Sequence, residues 1–297
     1  MREDERMTDD DERFQRAGHA SRRLVAQCLA HVRSATSKLP GRIDAAPSWT
    51  DYGVDLSAAV AGSHVRAFRH RGDEVESTCN ALVSHLEGLR VLVDHDTLHS
   101  LPAITITRSI AEVSASTSWL LCPGLSADER AARAYAALFR SVESSKAASP
   151  ETSGRIRERL ILELAKAGVR IQRAVDKHKN PTDEVAQVLV GRSNAKTRFQ
   201  FTQRIADEIP ALGTMYGTLS GIAHGEHLFV STSWETPDTY ARAIGVVTYR
   251  AVEAWSRSIH EWVGVTAAPF LNGTDIHNLL QSIPSDLREE FETEASD

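Results

Sequence analysis

The chain holds only three cysteines in 297 residues, Cys28, Cys79 and Cys122, with no CxxC spacing among them. An odd number so placed argues against a disulfide framework and a zinc knuckle, and fits a reducing, cytoplasmic setting. Aromatic residues are scarce, at 6%, while Ala, Leu and Ser are frequent, a balance that favours helices over sheets. No run approaches roughly 18 uninterrupted apolar residues, so a membrane span is rejected. The opening MREDERMTDDDER is too charged for a signal peptide. Nucleophile and phosphate-loop signatures are missing as well: there is no GxSxG elbow, no Walker A loop and no GxGxxG after a strand. HExxH is absent, and neither His95 with His99 nor His224 with His227 comes with a third ligand at a metal-site spacing. No metal and no other cofactor is expected.

What charge there is sits at the ends. The net charge is −6, but residues 1–13 carry seven acids against three arginines, and residues 286–297 carry six acids against one. Without these tails the body is positive by about three charges, which leaves room for an anionic ligand. Residues 1–10 read as a disordered acidic tail, 11–265 as a single helical domain, and 266–297 as a short helix followed by an acidic tail.

Periodicity places the helices. One fits Asp11 to Ser37, with Leu24, Val25, Cys28, Leu29 and Val32 on its apolar side. LPGRIDAAPSW, 39–49, has two prolines and a glycine and reads as a loop. Val54 to His70 suggests a helix, and Asp73 N-caps another that runs to about Asp94 with Val75, Cys79, Leu82, Leu86, Leu89 and Val93 inward. Ser126 and Glu129 have capping-box spacing before a helix to about Ser145, and Ser149-Pro150-Glu151 starts a further one that frays at Gly168. Residues 168–194 are ambiguous and admit a short β-hairpin. Residues 198–225 return to helix, and a last long helix spans about Pro237 to Val263 with Ile244, Val247, Ala251, Trp255, Ile259 and Trp262 inward. The fold expected is all-α, a bundle of about seven to eight helices with a small hairpin near 168–192.

Two stretches stand apart. LPAITITRSIAEVSASTSWLLC, 101–122, has only Arg108 and Glu112 as charges; on a helix Leu101, Ile104, Arg108, Glu112, Ala115 and Trp119 share one stripe. A helix apolar or small nearly all round is a buried, central one, and an ion pair inside it needs partners. IPALGTMYGTLSGIAHG, 209–225, carries no charge. Gly213, Gly217 and Gly221 recur every four residues on one face, as expected where another helix backbone approaches closely, and Tyr216, Ser220 and His224 form a second row beside them. If the two helices pack, Arg108, Glu112, Tyr216, Ser220 and His224 meet in a dry interior. Arg supplies a donor fork, Glu an acceptor, His a group titratable near neutrality, and Tyr and Ser hydroxyls. Such a set can bind a hydrogen-bonding anion or move protons; it can equally be a satisfied network that only fixes helix register. The run 155–179 has a net charge of +5, read either as a phosphate-facing surface or as a solvated face of Glu/Arg pairs.

Tyr216-Gly-Thr-Leu-Ser-Gly-Ile-Ala-His-Gly225 resembles the signature helix of the HEPN superfamily, helical proteins of bacterial defence and toxin systems. Leu219, Ile222, Ala223, His224 and Gly225 match its local form. Ser220 and Gly221 stand where the family has Arg and Asn, and its metal-independent ribonuclease chemistry relies on that Arg with the His, so nuclease activity is in doubt. Arg108 is the residue that could supply a guanidinium from another helix; Arg173 and His178 also have the Arg-x4-His spacing. The combination Arg108, Glu112, Trp119, Tyr216, Ser220 and His224 is similar to that of a group of bacterial helical proteins with an Arg-x3-Glu helix ending near a Trp and a later Tyr-x3-Ser-x3-His helix. The resemblance implies a cytoplasmic protein whose polar pocket binds a nucleotide or RNA-type ligand. In it Arg108 holds an anionic group, Glu112 orients it, His224 is the titratable member, and Tyr216, Ser220 and Trp119 complete the ligand site. Two other readings stay open: a small-molecule binder or tailoring enzyme using the same pocket, and a non-catalytic homodimer that associates through an exposed helical face.

Overall fold

The computed structural model describes residues 9–62, 64–94, 100–224 and 237–264. Among these, nine α-helices and one three-stranded sheet pack around a continuous hydrophobic cluster. Helix α1 spans Asp9–Asp44, α2 Asp51–Val60, α3 Val65–Asp94, α4 Ser100–Leu121, α5 Ala127–Ser144 and α6 Pro150–Lys166. After the sheet come α7 Phe201–Glu208, α8 Gly213–Ala223 and α9 Pro237–Trp262, with short 3₁₀ turns at Ser145–Ala147 and Pro210–Leu212. The fold is thus all-α with a short sheet, as the sequence suggests. His95, His99, Gly225, His227 and the C-terminal tail lie outside the described residues.

Helix α4 is the central element. It packs against α3, α5, α7, α8 and α9. Ala103, Ile104, Ile110, Ala111, Ala115, Leu120 and Leu121 are buried along it, and so are Thr107, Ser114, Thr117 and Ser118. Buried hydroxyls need acceptors, and here the helix supplies them: Thr107 Oγ1 donates to the Ala103 carbonyl at 2.8 Å and Thr117 Oγ1 to that of Val113 at 3.0 Å. Small hydroxylated residues therefore let neighbours come close, and Thr107 and Thr117 do so without leaving a buried donor open. Helix α9 lies alongside with Trp255 and Trp262 fully buried, each contributing on the order of 2–3 kcal/mol through apolar burial.

Several boundaries differ from the sequence reading. Helix α1 runs through Pro40; the proline forfeits one backbone hydrogen bond, but Leu39 is buried and Ile43 packs on the core, which holds the last turn in register. The break expected before Asp73 lies earlier, at Gly62 and His64, both in the left-handed region with φ of 88° and 52°. Helix α3 then passes uninterrupted through Gly72 and Asp73. The single helix expected over 198–225 is two. Ile209 precedes Pro210, whose ring disfavours the α conformation in the residue before it, and Ile209 takes φ −137°, ψ 71°.

The capping box of α5 forms as its spacing suggests: Ser126 Oγ accepts from the Glu129 amide at 3.2 Å, and Glu129 Oε2 accepts from the Ser126 amide at 2.8 Å. The ambiguous segment is an antiparallel sheet of order β1-β2-β3, with β1 Arg170–Val175, β2 Pro181–Val190 and β3 Ser193–Lys196. Ile171 pairs with Val188 and Leu189 with Asn194. Val188, Val190 and Ala195 are buried, and β2 and β3 lie against α5. The sheet thereby carries Lys196, Thr197 and Phe199 to the flank of α4.

One feature of the fold was not visible in the sequence. Asp55 of α2 is buried between two buried arginines, accepting from Arg71 Nη1 of α3 and from Arg130 Nε of α5 at 3.0 Å. Arg130 Nη1 also donates to Asp51 at 2.8 Å and to the Leu125 carbonyl. Burial first, then repulsion from Arg130, pushes the Arg71 guanidinium down to about 9.

Candidate functional site

Arg108 and Glu112 are one turn apart on α4, so their side chains meet on the same face. Arg108 Nε donates to Glu112 Oε1 at 2.8 Å and to the Tyr216 hydroxyl at 3.2 Å. The Tyr216 hydroxyl in turn donates to Glu112 Oε1 at 2.5 Å. Arg108 Nη1 approaches His224 Nε2 to 2.8 Å; because a guanidinium can only donate, the imidazole Nε2 is the acceptor. Helix α8 supplies Tyr216 from its buried face and presents His224 just past its C-terminal residue.

The electrostatics follow from these contacts. Burial pushes the Tyr216 phenol up to about 12, and its bond to Glu112 adds to the rise. For Arg108 burial works against the cation, but the bonds to Tyr216 and Glu112 outweigh it and hold the guanidinium above its ordinary value. Arg108 is thus a fixed cation and Tyr216 a fixed proton donor.

The cluster is not in a dry interior. The Arg108 and Glu112 side chains are 21% and 22% exposed, and His224 is exposed. Tyr216, Leu219 and Ile222 of α8 are buried, while His224 at the end of the helix is exposed. At two positions of the glycine stripe no part of α4 comes close. A Cβ at Gly217 would meet nothing within 4 Å, and one at Gly213 would meet Ala206 of α7 rather than α4. Among the described residues, the Ser220 hydroxyl joins none of the cluster's hydrogen bonds.

A cavity of about 740 Å³ opens beside the cluster, with Glu112 in its wall. Its lining comes from α3, α4, α5, β3, the segment after β3, and α7. Trp119 lies in this wall too, two turns beyond Glu112. The Arg204 guanidinium sits 3.9 Å from the Trp119 ring centre and 3.0 Å from that of Phe199, and Arg140 sits 4.0 Å from Phe199 and 4.8 Å from Phe201. Arg133 donates to the Trp119 carbonyl, fixing that end of α4. Burial, followed by repulsion from Arg140, lowers Arg204 to about 9, so it remains a cation at neutral pH. Hydroxyls of Ser109, Ser116, Thr117, Ser141, Ser144 and Thr197 make up much of the polar lining.

Of the six residues singled out in the sequence, four form one bonded network: Arg108, Glu112, Tyr216 and His224. Trp119 lies apart from them on the cavity wall, with Arg204 and Arg133 against it. Arg140, Arg204, Phe199 and Phe201 were missed; the signal that could have found them is Phe199-Gln-Phe201, an aromatic pair in a chain poor in aromatics, followed closely by Arg204.

Half of the basic run's cations are ion-paired, Arg155 with Glu151 at 4.0 Å, Arg157 with Glu143 at 3.3 Å, Arg159 with Glu163 at 2.8 Å and Arg173 with Glu158 at 3.4 Å, while Lys166, Arg170, Lys177 and Lys179 have no such partner among the described residues. Arg173 lies on β1 rather than on a helix, so its spacing to His178 does not place the two on a common helical face. Among the described residues no helix is long and apolar enough to cross a membrane, and no three His, Cys, Asp or Glu side chains are grouped to hold a metal ion. Comparison with protein-family models, with curated proteins and with solved structures finds no match for the chain.

Proposed function

We propose that this protein binds a ligand of the nucleotide class in the cavity beside α4, with Arg108, Glu112, Tyr216 and His224 as the polar group that recognises it. The observation that carries this is the double position of Glu112. Its Oε1 is held by Arg108 and Tyr216, and its carboxylate also belongs to the cavity wall. The second oxygen has no partner among the described residues, so an acceptor of fixed position is available to a ligand amine or hydroxyl. Tyr216 and Arg108 keep that carboxylate oriented, and among the described residues Nη2 of Arg108 makes no hydrogen bond and can meet an anionic group. His224 is the member exposed to solvent.

The HEPN-like reading draws support from the same geometry. A guanidinium reaches His224 at the end of α8, though from α4 rather than from α8 itself. A small ligand is favoured over a nucleic-acid strand, because the cavity is walled by several elements instead of forming an open basic groove. The test is calorimetric titration with nucleoside monophosphates and a short single-stranded RNA, on the wild type and on Tyr216→Phe, Arg108→Gln and His224→Gln. Loss of binding with an unchanged circular dichroism spectrum supports the site. Unchanged binding in all three variants, or variants that only unfold, assigns the network to structure alone.

A further inference from the structure

We propose that Arg140 and Arg204 form a phosphate subsite on the cavity wall, and that the ligand is a small phosphate monoester whose hydroxylated part extends towards Glu112. This rests on the cavity being the binding site and adds to it the charged group that is gripped.

Both guanidiniums lie against the Phe199 ring, on the cavity side of α5 and α7. Arg204 is 7% exposed. Among the described residues neither arginine has a carboxylate within ion-pair distance, and neither donates a hydrogen bond. Among the described residues the other buried arginines are treated differently from Arg204: Arg71 and Arg130 share Asp55, and Arg157 has Glu143. Aromatic faces favour a nearby cation but take none of its five N–H donors into strong bonds, and they return only part of the hydration lost on burial. The two cations also repel each other, as the lowering of Arg204 by Arg140 shows. Glu112 and Glu74 act on Arg140, and Glu208 and Asp207 on Arg204, from beyond ion-pair distance and offset this charge only in part. A pair of oriented donor forks without a bonded acceptor among the described residues is completed by a dianion with several oxygens, and a phosphate monoester at neutral pH fits that requirement.

The remaining lining agrees with this polarity. Lys196 adds a third cation to the wall, and Ser144, Ser145 and Thr197 place hydroxyls near the same side of α5 and β3. Glu112 and Glu74 are the acids of the lining; the free Glu112 oxygen suits a hydroxyl or amine and would repel a second phosphate. The class expected is therefore a singly phosphorylated sugar or nucleoside rather than a triphosphate.

Isothermal titration of the full chain with inorganic phosphate, adenosine, and the four nucleoside 5′-monophosphates tests the assignment. Arg140→Gln, Arg204→Lys and Tyr216→Phe are run beside the wild type, each checked for an unchanged circular dichroism spectrum. At least one monophosphate should bind, its nucleoside at least tenfold more weakly, and inorganic phosphate should compete. Arg140→Gln should weaken the monophosphate at least tenfold and leave the nucleoside unaffected, whereas Arg204→Lys should retain part of the affinity. If monophosphates bind wild type and Arg140→Gln equally but are lost in Tyr216→Phe, the cavity reading stands and the subsite is wrong. If no phosphate-bearing probe binds the wild type, or a short RNA binds where mononucleotides do not, the small-phosphate assignment is overturned.

Discussion

Arg108 and His224 are 116 residues apart in sequence, and their nitrogens Nη1 and Nε2 lie 2.8 Å apart in the fold. The contact joins the middle of α4 to the end of α8 and needs no buried charge, because His224 is exposed and Arg108 reaches it from the rim. Exposed pairs of this kind contribute little to stability, about 1 kcal/mol or less. Arg108→Gln and His224→Gln should therefore shift the urea midpoint only slightly while removing ligand binding. A loss of several kcal/mol in either variant would show the pair to be a structural tie.

Tyr216 is different, being 1% exposed with its hydroxyl on Glu112. Tyr216→Phe keeps the ring and deletes one bond to a partly hydrated carboxylate, for a cost of about 1 kcal/mol. Chemical denaturation reads this directly. A variant as stable as the wild type would mean that Glu112 finds water equally well.

Removing the charge of Asp55 should be far more damaging. Asp55→Asn leaves Arg71 and Arg130 buried beside one neutral amide, with only Asp51 as counter-charge for Arg130. Breaking a buried ion pair from one side costs roughly 3–5 kcal/mol. The thermal midpoint should fall by many degrees, and a shift within a degree or two would show that the arginines rehydrate.

Stability should also decline in mild acid. Burial, with repulsion from His260, Arg42 and Lys38, lowers His31 from 6.5 to about 4, and burial lowers His70, His85 and His260 as well. Between pH 6.5 and about 4 the unfolded chain takes up protons that the folded chain resists. The contribution is complete above about pH 6.5 and fades as pH falls towards 4. His31 is only part-buried, so its share is on the order of 1 kcal/mol after allowance for solvent screening. Urea midpoints at pH 7.5, 6 and 5 should fall in that order; a flat profile would count against neutral buried histidines.

The helices and the four-residue network were legible because both are written in spacing. Alternating apolar rows mark the core faces of α1, α3 and α9, and the rarity of charge in 101–122 and 209–225 makes Arg108, Glu112, Tyr216 and His224 the natural partners. The arginine pair was not legible, since Arg140, Phe199 and Arg204 come from α5, a loop and α7 and share no periodicity. Asp55 was hidden for a similar reason: one acid in a short amphipathic helix gives no hint that two distant arginines will close on it. Helical spacing shows which residues share a face but not which face is packed: at Gly217 no neighbour lies close, and it is Tyr216 that reaches the charged pair of α4. The split at Ile209 was readable from Pro210 alone, but the charge-free run around it masked the signal.

The buried residues of α2 are Gly53 and Asp55, while Val54, Leu56 and Val60 point to solvent. Gly53 is required there, since a Cβ would come within 2.3 Å of the Pro47 carbonyl. Apart from Tyr52, which rests on Phe68 and Trp262, α2 is attached to the body by charge rather than by apolar area. Releasing it would expose little hydrophobic surface and so add little to the heat capacity or to the denaturant slope of unfolding. Its attachment is set by the Asp55 ion pairs, which burial shields from added salt, so α2 should stay docked at ionic strengths that dissolve the exposed surface pairs.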